Sequence, residues 1–188
     1  MDPVFVWWIG DGEEDVELMA HVRHELARAF ESPVFLWESP ERPDHARDPK
    51  RKQWHTTPML GWLSEQGPGA PGRDPATARV LGITDRDLFI PILTYVFGEA
   101  QLSGRAALVS LARLDDPDAP HARSLLLDRA AKEAIHEVGH VFGLVHCHAE
   151  GCVMGRSPAV REVDAKTSRL CEDCRAALGA PAEGRSGT

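Results

Sequence analysis

The chain begins with two short apolar runs. The segment between them has apolar residues at helical spacing. Residues 4–9 (VFVWWI) and 34–37 (VFLW) are rich in β-branched and aromatic side chains, which predicts a buried strand at 4–9 and a second short strand at 34–37. From Val16 to Phe30, apolar residues recur three or four positions apart, and this spacing predicts an amphipathic helix. The order strand, helix, strand is typical of an α/β fold.

Proline, glycine and charged residues then break the pattern. They predict surface loops at 39–52 and 67–74. Between these loops, residues 53–65 predict a helix that Pro58 interrupts. A further strand is predicted where β-branched and apolar residues return, at 76–84.

The second half of the chain predicts a hairpin and then helices. Apolar runs at 96–102 and 106–111 flank a Ser-Gly turn, which predicts the hairpin. After a polar loop, Ser124 is the predicted N-cap of a long helix that ends at about Phe142. A later helix is predicted within 158–178, around the last two cysteines.

Size, composition and charge are those of an ordinary soluble protein. The chain has 188 residues, of which 43% are hydrophobic and 27% charged. Its net charge of −8 disfavours nucleic acid and anionic membranes as partners, and the run at 4–9 is too short to span a bilayer. The N-terminus lacks the basic stretch of a secretion signal. We therefore expect a cytoplasmic protein, and a monomer.

The long predicted helix carries the motif HExxHxxGxxH at 136–146. His136 and His140 are four residues apart, so they project from one face of a helix and can share a metal ion. Gly143 stands where the helix would end, and a left-handed glycine there would turn the chain back and bring His146 to the same ion. Three imidazoles suit Zn²⁺ and leave a fourth position for water, as in catalytic zinc sites.

Glu137 supplies the second half of the predicted chemistry. It lies about 100° around the helix from His136, so we predict that it acts as general base on the metal-bound water and is not a ligand. The alternative is a chance match on a His-rich amphipathic helix. By composition, HExxH arises by accident in roughly 3% of such chains and the full motif in roughly 0.01%, which favours the catalytic interpretation. Zinc or another metal that tolerates three imidazoles fits this ligand set.

All cysteines of the chain follow this motif, at Cys147, Cys152, Cys171 and Cys174. Two close pairs separated by a loop suit a tetrahedral four-thiolate zinc site, which is structural because it leaves no position for water. The alternative is two disulfides, which the lack of a secretion signal disfavours. Because Cys147 directly follows His146, we hypothesise that this second zinc fixes the loop that aims the third histidine.

Together these motifs resemble those of the archaemetzincins, a metzincin-like family of zinc metallopeptidases. The resemblance rests on HEVGHVFGLVHC followed by C-x-M and C-x2-C, and on the strings LGITDRDLF, YVFGEAQLSG and LVSLARL. It implies a zincin-like α/β domain with a mixed, twisted sheet. We divide this single catalytic domain, 1–178, into the sheet and first helices (1–122), the active-site helix and turn (123–146) and a zinc-bound four-cysteine segment (147–178). A disordered tail is predicted at 179–188.

The resemblance also implies roles for individual residues and two zinc ions per chain. The implied sets are the catalytic zinc ligands (His136, His140, His146), the general base (Glu137) and the structural zinc ligands (Cys147, Cys152, Cys171, Cys174). Met154 resembles the methionine of the Met-turn, which lies beneath the histidines. Residues 96–102 resemble the edge strand that pairs with an extended peptide or protein substrate.

The chain departs from many metzincins in lacking a tyrosine after the Met-turn, because its single tyrosine, Tyr95, precedes the motif. The oxyanion would then be stabilised by zinc, by backbone N–H groups, or by a donor such as His148 or Arg156. Two functions remain open: a peptidase that uses zinc-activated water, and a zinc-stabilised protein that binds peptide with little or no turnover. The intact Glu137 favours the peptidase, since a binding protein needs no base.

Overall fold

The described residues form eight strands, five α-helices and one short 3₁₀-helix, Asp44–Ala46. The computed structural model describes residues 1–38, 41–66 and 78–179. The elements follow in the order β1 (Val4–Trp8), α1 (Val16–Phe30), β2 (Val34–Trp37), β3 (Arg47–Asp48), β4 (Gln53–His55), α2 (Thr56–Glu65), β5 (Arg79–Thr84), β6 (Leu88–Phe89), β7 (Gly98–Ala100), β8 (Ala106–Ser110), α3 (Ala122–Val141), α4 (Val160–Ala165) and α5 (Glu172–Gly179).

The main sheet has five strands in the order β2-β1-β5-β8-β7. Neighbouring strands are parallel from β2 to β8, whereas β7 pairs antiparallel with β8 and forms one edge. A second sheet has the order β3-β4-β6. This mixed α/β architecture confirms the predicted fold class, and the β7–β8 pair confirms the predicted hairpin.

The centre of the main sheet is buried on both faces, as β1 shows, whereas Phe35, Leu36 and Trp37 of the edge strand β2 are exposed. Val4, Val6 and Trp8 pack into the core layer that contains α1 and α3, whereas Trp7 and Ile9 pack into the layer that contains α2. Successive side chains of a strand point to opposite faces, so a strand covered on both sides is apolar at every position. This explains the unbroken apolar run at the start of the chain.

The predicted bounds of α1 are confirmed, but its buried face is rotated from the predicted stripe. Val16 was expected to face the core and is 70% exposed. The buried positions of α1 are Leu18, Met19, Val22, Leu26, Ala29 and Phe30. The predicted stripe (Val16, Met19, Ala20, Val22, Leu26, Ala27 and Phe30) leaves out Leu18 and Ala29, which are buried because they lie on the face that packs into the core.

Two local predictions were wrong. Pro58 does not interrupt a helix, because α2 begins at Thr56 and the proline falls in its first turn, where backbone N–H groups have no helical partner to lose. Ser124 is not an N-cap: α3 begins at Ala122 after His121, which has a φ of 58°, and the Ser124 hydroxyl donates to the His121 carbonyl at 3.0 Å.

The short strands β3 and β4 correct the predictions of loop and helix for those residues. Arg47 and Asp48 pair with β4, and β4 pairs with β6. Strands of two or three residues are too short to show a period of two, so pairing with a distant part of the chain decides their conformation. The predicted loop at 67–74 lies outside the described residues. The last helix, α5, includes Gly179, and the rest of the predicted tail, 180–188, also lies outside them.

The helix α3 is buried on nearly every side from Arg129 to its end, including positions that carry charge. Its polar side chains are paired accordingly: the Arg129 guanidinium binds both oxygens of Asp164, at 2.7 and 2.8 Å. Although α3 has 20 residues, neither it nor any other helix of the described ranges is long and apolar enough to cross a membrane. α3 packs against α1, β7 and β8, and its Arg129 binds the C-terminal segment.

The start of α1 is tied to the start of α3 by Asp15, which yields a test of the fold. The Asp15 carboxylate caps α1 by accepting from the Leu18 N–H at 3.1 Å, and it accepts a 2.7 Å hydrogen bond from Arg123. We expect Asp15→Ala to lower the free energy of unfolding by about 1–2 kcal/mol at pH 7, because a cap and an ion pair are lost. Asp15→Asn keeps the cap and should cost less. Urea unfolding measures both.

The same contact predicts a pH dependence. The hydrogen bond from Arg123 holds the pKa of Asp15 below its usual value. A carboxyl with a lowered folded pKa stabilises the fold above its unfolded pKa, and this contribution is lost as the pH falls through the folded pKa. The gap between wild type and Asp15→Asn should therefore close in acid. The same substitution at the exposed Asp118 is the control, and a gap that persists unchanged at pH 2 would contradict the prediction.

Candidate metal centre

Three histidines of the predicted motif converge at the end of α3. The Nε2 atoms of His136 and His140 are 3.1 Å apart, as expected for residues one helical turn apart on the same face. His146 completes the group, and one ring nitrogen from each of the three histidines lies within 4.8 Å of the others. The sequence prediction of which histidines meet is thus matched by the structure.

The turn that returns the chain to the site is made by Gly143. Its φ of 88° is left-handed, a conformation that costs glycine little because it has no Cβ. The Gly143 N–H donates to the His140 carbonyl, and the Leu144 N–H donates to the Gly139 carbonyl, both at 2.9 Å. These bonds end the helix and aim the next residues back along it.

Backbone carbonyl groups fix the rings of the first two histidines. Nδ1 of His136 lies 2.9 Å from the Val153 carbonyl oxygen, and Nδ1 of His140 lies 2.7 Å from that of Leu144. A carbonyl oxygen only accepts, so each Nδ1 carries the proton and each Nε2 keeps its lone pair for a metal. Burial also lowers the pKa of His136, to about 2, and that of His140, which keeps both rings neutral.

His146 is held differently, by a cation. The Arg156 Nε donates to its Nδ1 at 3.0 Å. A neutral imidazole has one lone pair, so a metal bound by His146 would take the place of this hydrogen bond. Of the two suggested oxyanion donors, only Arg156 makes this contact with His146, and both Arg156 and His148 are exposed and lie outside the cleft lining.

Glu137 lies against the edge strand β7. It is 6% exposed, and a Cβ on Gly98 would come within 2.7 Å of the Glu137 Cγ and Oε1 atoms. Only a glycine at this position lets the strand backbone approach the carboxylate so closely. Burial, and then the nearby Glu133 carboxylate, raise the pKa of Glu137 well above its usual range. A carboxyl shifted in this direction takes up a proton more readily than an exposed glutamate.

Met154 lies where the Met-turn resemblance placed it, beneath the histidines. It is fully buried, and a Cβ on Gly139 would come within 2.5 Å of its sulfur. Its own carbonyl accepts from the Cys147 N–H at 3.0 Å, and the preceding carbonyl, that of Val153, fixes His136. The turn thus supports both the helical and the returning parts of the motif.

A buried ion pair lies behind this turn. The Lys166 Nζ is 2.8 Å from a Glu133 carboxylate oxygen, with side chains 5% and 4% exposed. The same ammonium donates to the Gly155 carbonyl at 3.3 Å. Lys166 therefore joins α3 to the residue after Met154. No local pattern predicts this contact, because a lone lysine normally lies at the surface.

The four cysteines form a second cluster beside the first. The Sγ atoms of Cys147 and Cys171 are 3.7 Å apart, and those of Cys152 and Cys174 are 3.8 Å apart. All four sulfur atoms lie within 4.8 Å of one another, and all four cysteines are free. These separations are too long for disulfide bonds, which disfavours the disulfide alternative.

The three histidines and Glu137 open into a cleft of about 370 Å³. Its remaining lining comes from β7 and from the segments after β7 and before His146, namely Gly98, Glu99, Ala100, Leu102 and Val145. None of these five residues belongs to a motif that would mark it as a site residue in the sequence. Tyr95 does not line the cleft; its hydroxyl lies 3.5 Å from the Pro158 carbonyl, beside the segment that follows the Met-turn.

Comparisons with known proteins agree with this arrangement. The model of the family described as peptidase family M54 matches residues 76–179. The archaemetzincin of Haloquadratum walsbyi is 36% identical, over 86% of this chain and 94% of the relative.

Solved structures give the same result. The crystal structure of an archaemetzincin from Methanopyrus kandleri superposes with a TM-score of 0.81 at 32% identity, over 95% of this chain and 93% of the other. That of a zinc-dependent peptidase from Methanocorpusculum labreanum gives a TM-score of 0.84 at 30% identity, over 93% and 99%. The chain therefore belongs to peptidase family M54, the archaemetzincins.

Proposed function

We propose that this protein hydrolyses peptide bonds with a water molecule activated at the three-histidine site and with Glu137 as general base. The observation that carries the proposal is the convergence of His136, His140 and His146 beside the Glu137 carboxylate in one open cleft. Family membership supports a zinc metallopeptidase, and the geometry supports the roles of these four residues within it.

The donor atoms of both clusters suit zinc. Zn–S bonds of about 2.3 Å in a tetrahedron place sulfur atoms about 3.8 Å apart, and the Cys147–Cys171 and Cys152–Cys174 separations are 3.7 and 3.8 Å. Zn–N bonds of about 2.0–2.1 Å place nitrogen atoms about 3.3–3.4 Å apart, close to the 3.1 Å between the His136 and His140 Nε2 atoms. We propose a catalytic zinc at the histidines and a structural zinc at the cysteines.

The chemistry divides between the metal and the protein. Zinc, when bound, would acidify a water molecule and polarise the substrate carbonyl. A Glu137 carboxylate oxygen accepts the proton that this water loses, and it then delivers the proton to the leaving amine nitrogen. The same group can serve both steps because burial has raised its pKa.

The peptide would bind along β7. This strand pairs with β8 on one side and forms the edge of the main sheet, so the backbone groups of its other side can pair with an extended peptide. Since Gly98 of β7 touches Glu137, a peptide paired there has its backbone next to the base and the histidines.

Replacement of the base tests the mechanism. We expect Glu137→Gln to lower kcat/KM for peptide cleavage by about 10²–10⁴-fold, while metal content and melting temperature change little, because the amide has nearly the same shape. Cleavage of a peptide library, metal analysis and thermal unfolding measure the three. Glu13→Gln, at an exposed site before α1, is the matched control. Failure of the wild type to cleave across broad libraries would favour the peptide-binding alternative instead.

The close contact at Gly98 gives a second test. Gly98→Ala would place a Cβ 2.7 Å from Glu137 and 2.5 Å from the Leu108 carbonyl oxygen, so the carboxylate must move. We expect at least a tenfold loss of kcat with two metal ions retained. Gly61→Ala is the control, since a Cβ there meets nothing within 4 Å. Full activity of Gly98→Ala would show that the position of Glu137 against β7 is unimportant.

The two metal sites can be separated by substitution. Metal analysis should find two zinc ions per wild-type chain and one after His136→Ala with His140→Ala. Because the Cys147 N–H also binds the Met154 carbonyl, we expect Cys171→Ser with Cys174→Ser to weaken zinc binding at the histidines about tenfold as well. Competition with a chromogenic chelator measures that affinity. If it is unchanged, the hypothesis that the structural site braces His146 is wrong.

A further inference from the structure

Two large apolar side chains are exposed at the mouth of the cleft. Leu102 is 57% exposed and Val145 is 54% exposed, and both line the cleft with the three histidines. They come from different segments, Leu102 from the turn after β7 and Val145 from the loop before His146. The floor of the cleft is polar, whereas each of these two walls carries apolar surface. This arrangement favours an apolar group of a ligand between the walls.

The turn that carries Leu102 is fixed to the metal-binding helix. The Ser103 N–H donates to the His140 carbonyl at 2.9 Å, and the Gly104 N–H donates to the Gln101 carbonyl at 2.8 Å. The Gln101 side-chain oxygen accepts from the backbone N–H groups of residues 105 and 106, at 3.2 and 3.1 Å. Leu102 is therefore held at a set distance from His140 on a turn with fixed backbone geometry.

Val145 is held with the same helix. The carbonyl of the preceding residue, Leu144, accepts from His140 Nδ1 at 2.7 Å, and the following residue is His146. The backbone on both sides of Val145 is thus fixed by the motif. Exposed apolar side chains on fixed backbone lose little conformational entropy when a ligand covers them, which favours binding.

The direction of β7 decides which part of a peptide would reach these residues. Glu137 touches Gly98 at the start of β7, whereas Leu102 lies four residues further along the chain, beyond its end. A peptide paired antiparallel with β7, the more stable form of pairing, runs the opposite way. Its residues on the N-terminal side of the scissile bond therefore lie toward Leu102.

We propose that Leu102 and Val145 form a subsite for a bulky apolar side chain of the substrate, located on the N-terminal side of the scissile bond. This inference rests on the proposed function and names part of its substrate class. An acidic side chain covered by these two apolar residues would lose its hydration without gaining a partner, so it is disfavoured in the same place. The subsite thus selects a leucine-like side chain over serine, and it selects either of these over aspartate.

Binding without turnover is the first test. Zinc-loaded Glu137→Gln protein is titrated into fluorescein-labelled hexapeptide pools that carry Leu, Ser or Asp at one fixed position, and anisotropy gives the dissociation constants. At one of the six positions, we expect pools with Leu to bind about tenfold more tightly than pools with Ser. Leu102→Ser or Val145→Ser should remove most of this preference. Ile92→Ser is the control, because Ile92 is 86% exposed and does not line the cleft.

Cleavage by the wild type then locates the subsite. Sequencing of cleaved products should find the preferred leucine within the four residues N-terminal to the cut. A preference confined to the C-terminal side, or one that Leu102→Ser and Val145→Ser leave intact, overturns the proposal. Leucine-selective binding without any cleavage supports the subsite while contradicting the peptidase function, so the two conclusions fail separately.

Discussion

The structure depends on burying a helix that must carry charge. From Arg129 onward α3 is enclosed by the sheet, by α1 and by the C-terminal segment, yet it carries a guanidinium, an ammonium, two carboxylates and two imidazoles. An unpaired buried charge costs several kcal/mol, so buried charges need partners. Lys132 pairs with Asp128 of the helix itself, whereas Asp164, Lys166 and the Val153 carbonyl come from outside it. The hydrogen bonds and ion pairs that allow α3 to be buried therefore also set the geometry of the site.

Close approach of the backbone complements this pairing. At Gly98 the edge strand comes into contact with Glu137, and at Gly139 the helix comes into contact with the sulfur of Met154. Each contact removes room for adjustment, so Glu137 and the histidines are positioned by packing on two sides. Side chains held in this way need little reorganisation when a ligand binds.

The sequence predicted those features that have short-range signals. These features are the helical period of α1, the hairpin of β7 and β8, and the spacing from His136 to Cys147. Each follows from the local geometry of a helix, a strand pair or a metal site. What it missed depends on contacts between distant residues. The β4 strand forms through pairing with β6, and Lys166 is buried because Glu133 lies opposite. Leu102 and Val145 are 43 positions apart, so no local pattern joins them.

The pairing of α3 with the C-terminal segment has a consequence for the order in which the protein is built. Arg129 and Glu133 leave the ribosome well before their partners, since Arg129 precedes Asp164 by 35 residues. Until those partners emerge, burying the helix would leave its charges unpaired in an apolar interior. The sheet and α1 can form during synthesis, but the histidines and Glu137 are brought to their final places only as the C-terminal segment arrives. The metal-binding cluster is therefore among the last parts of the structure to be assembled.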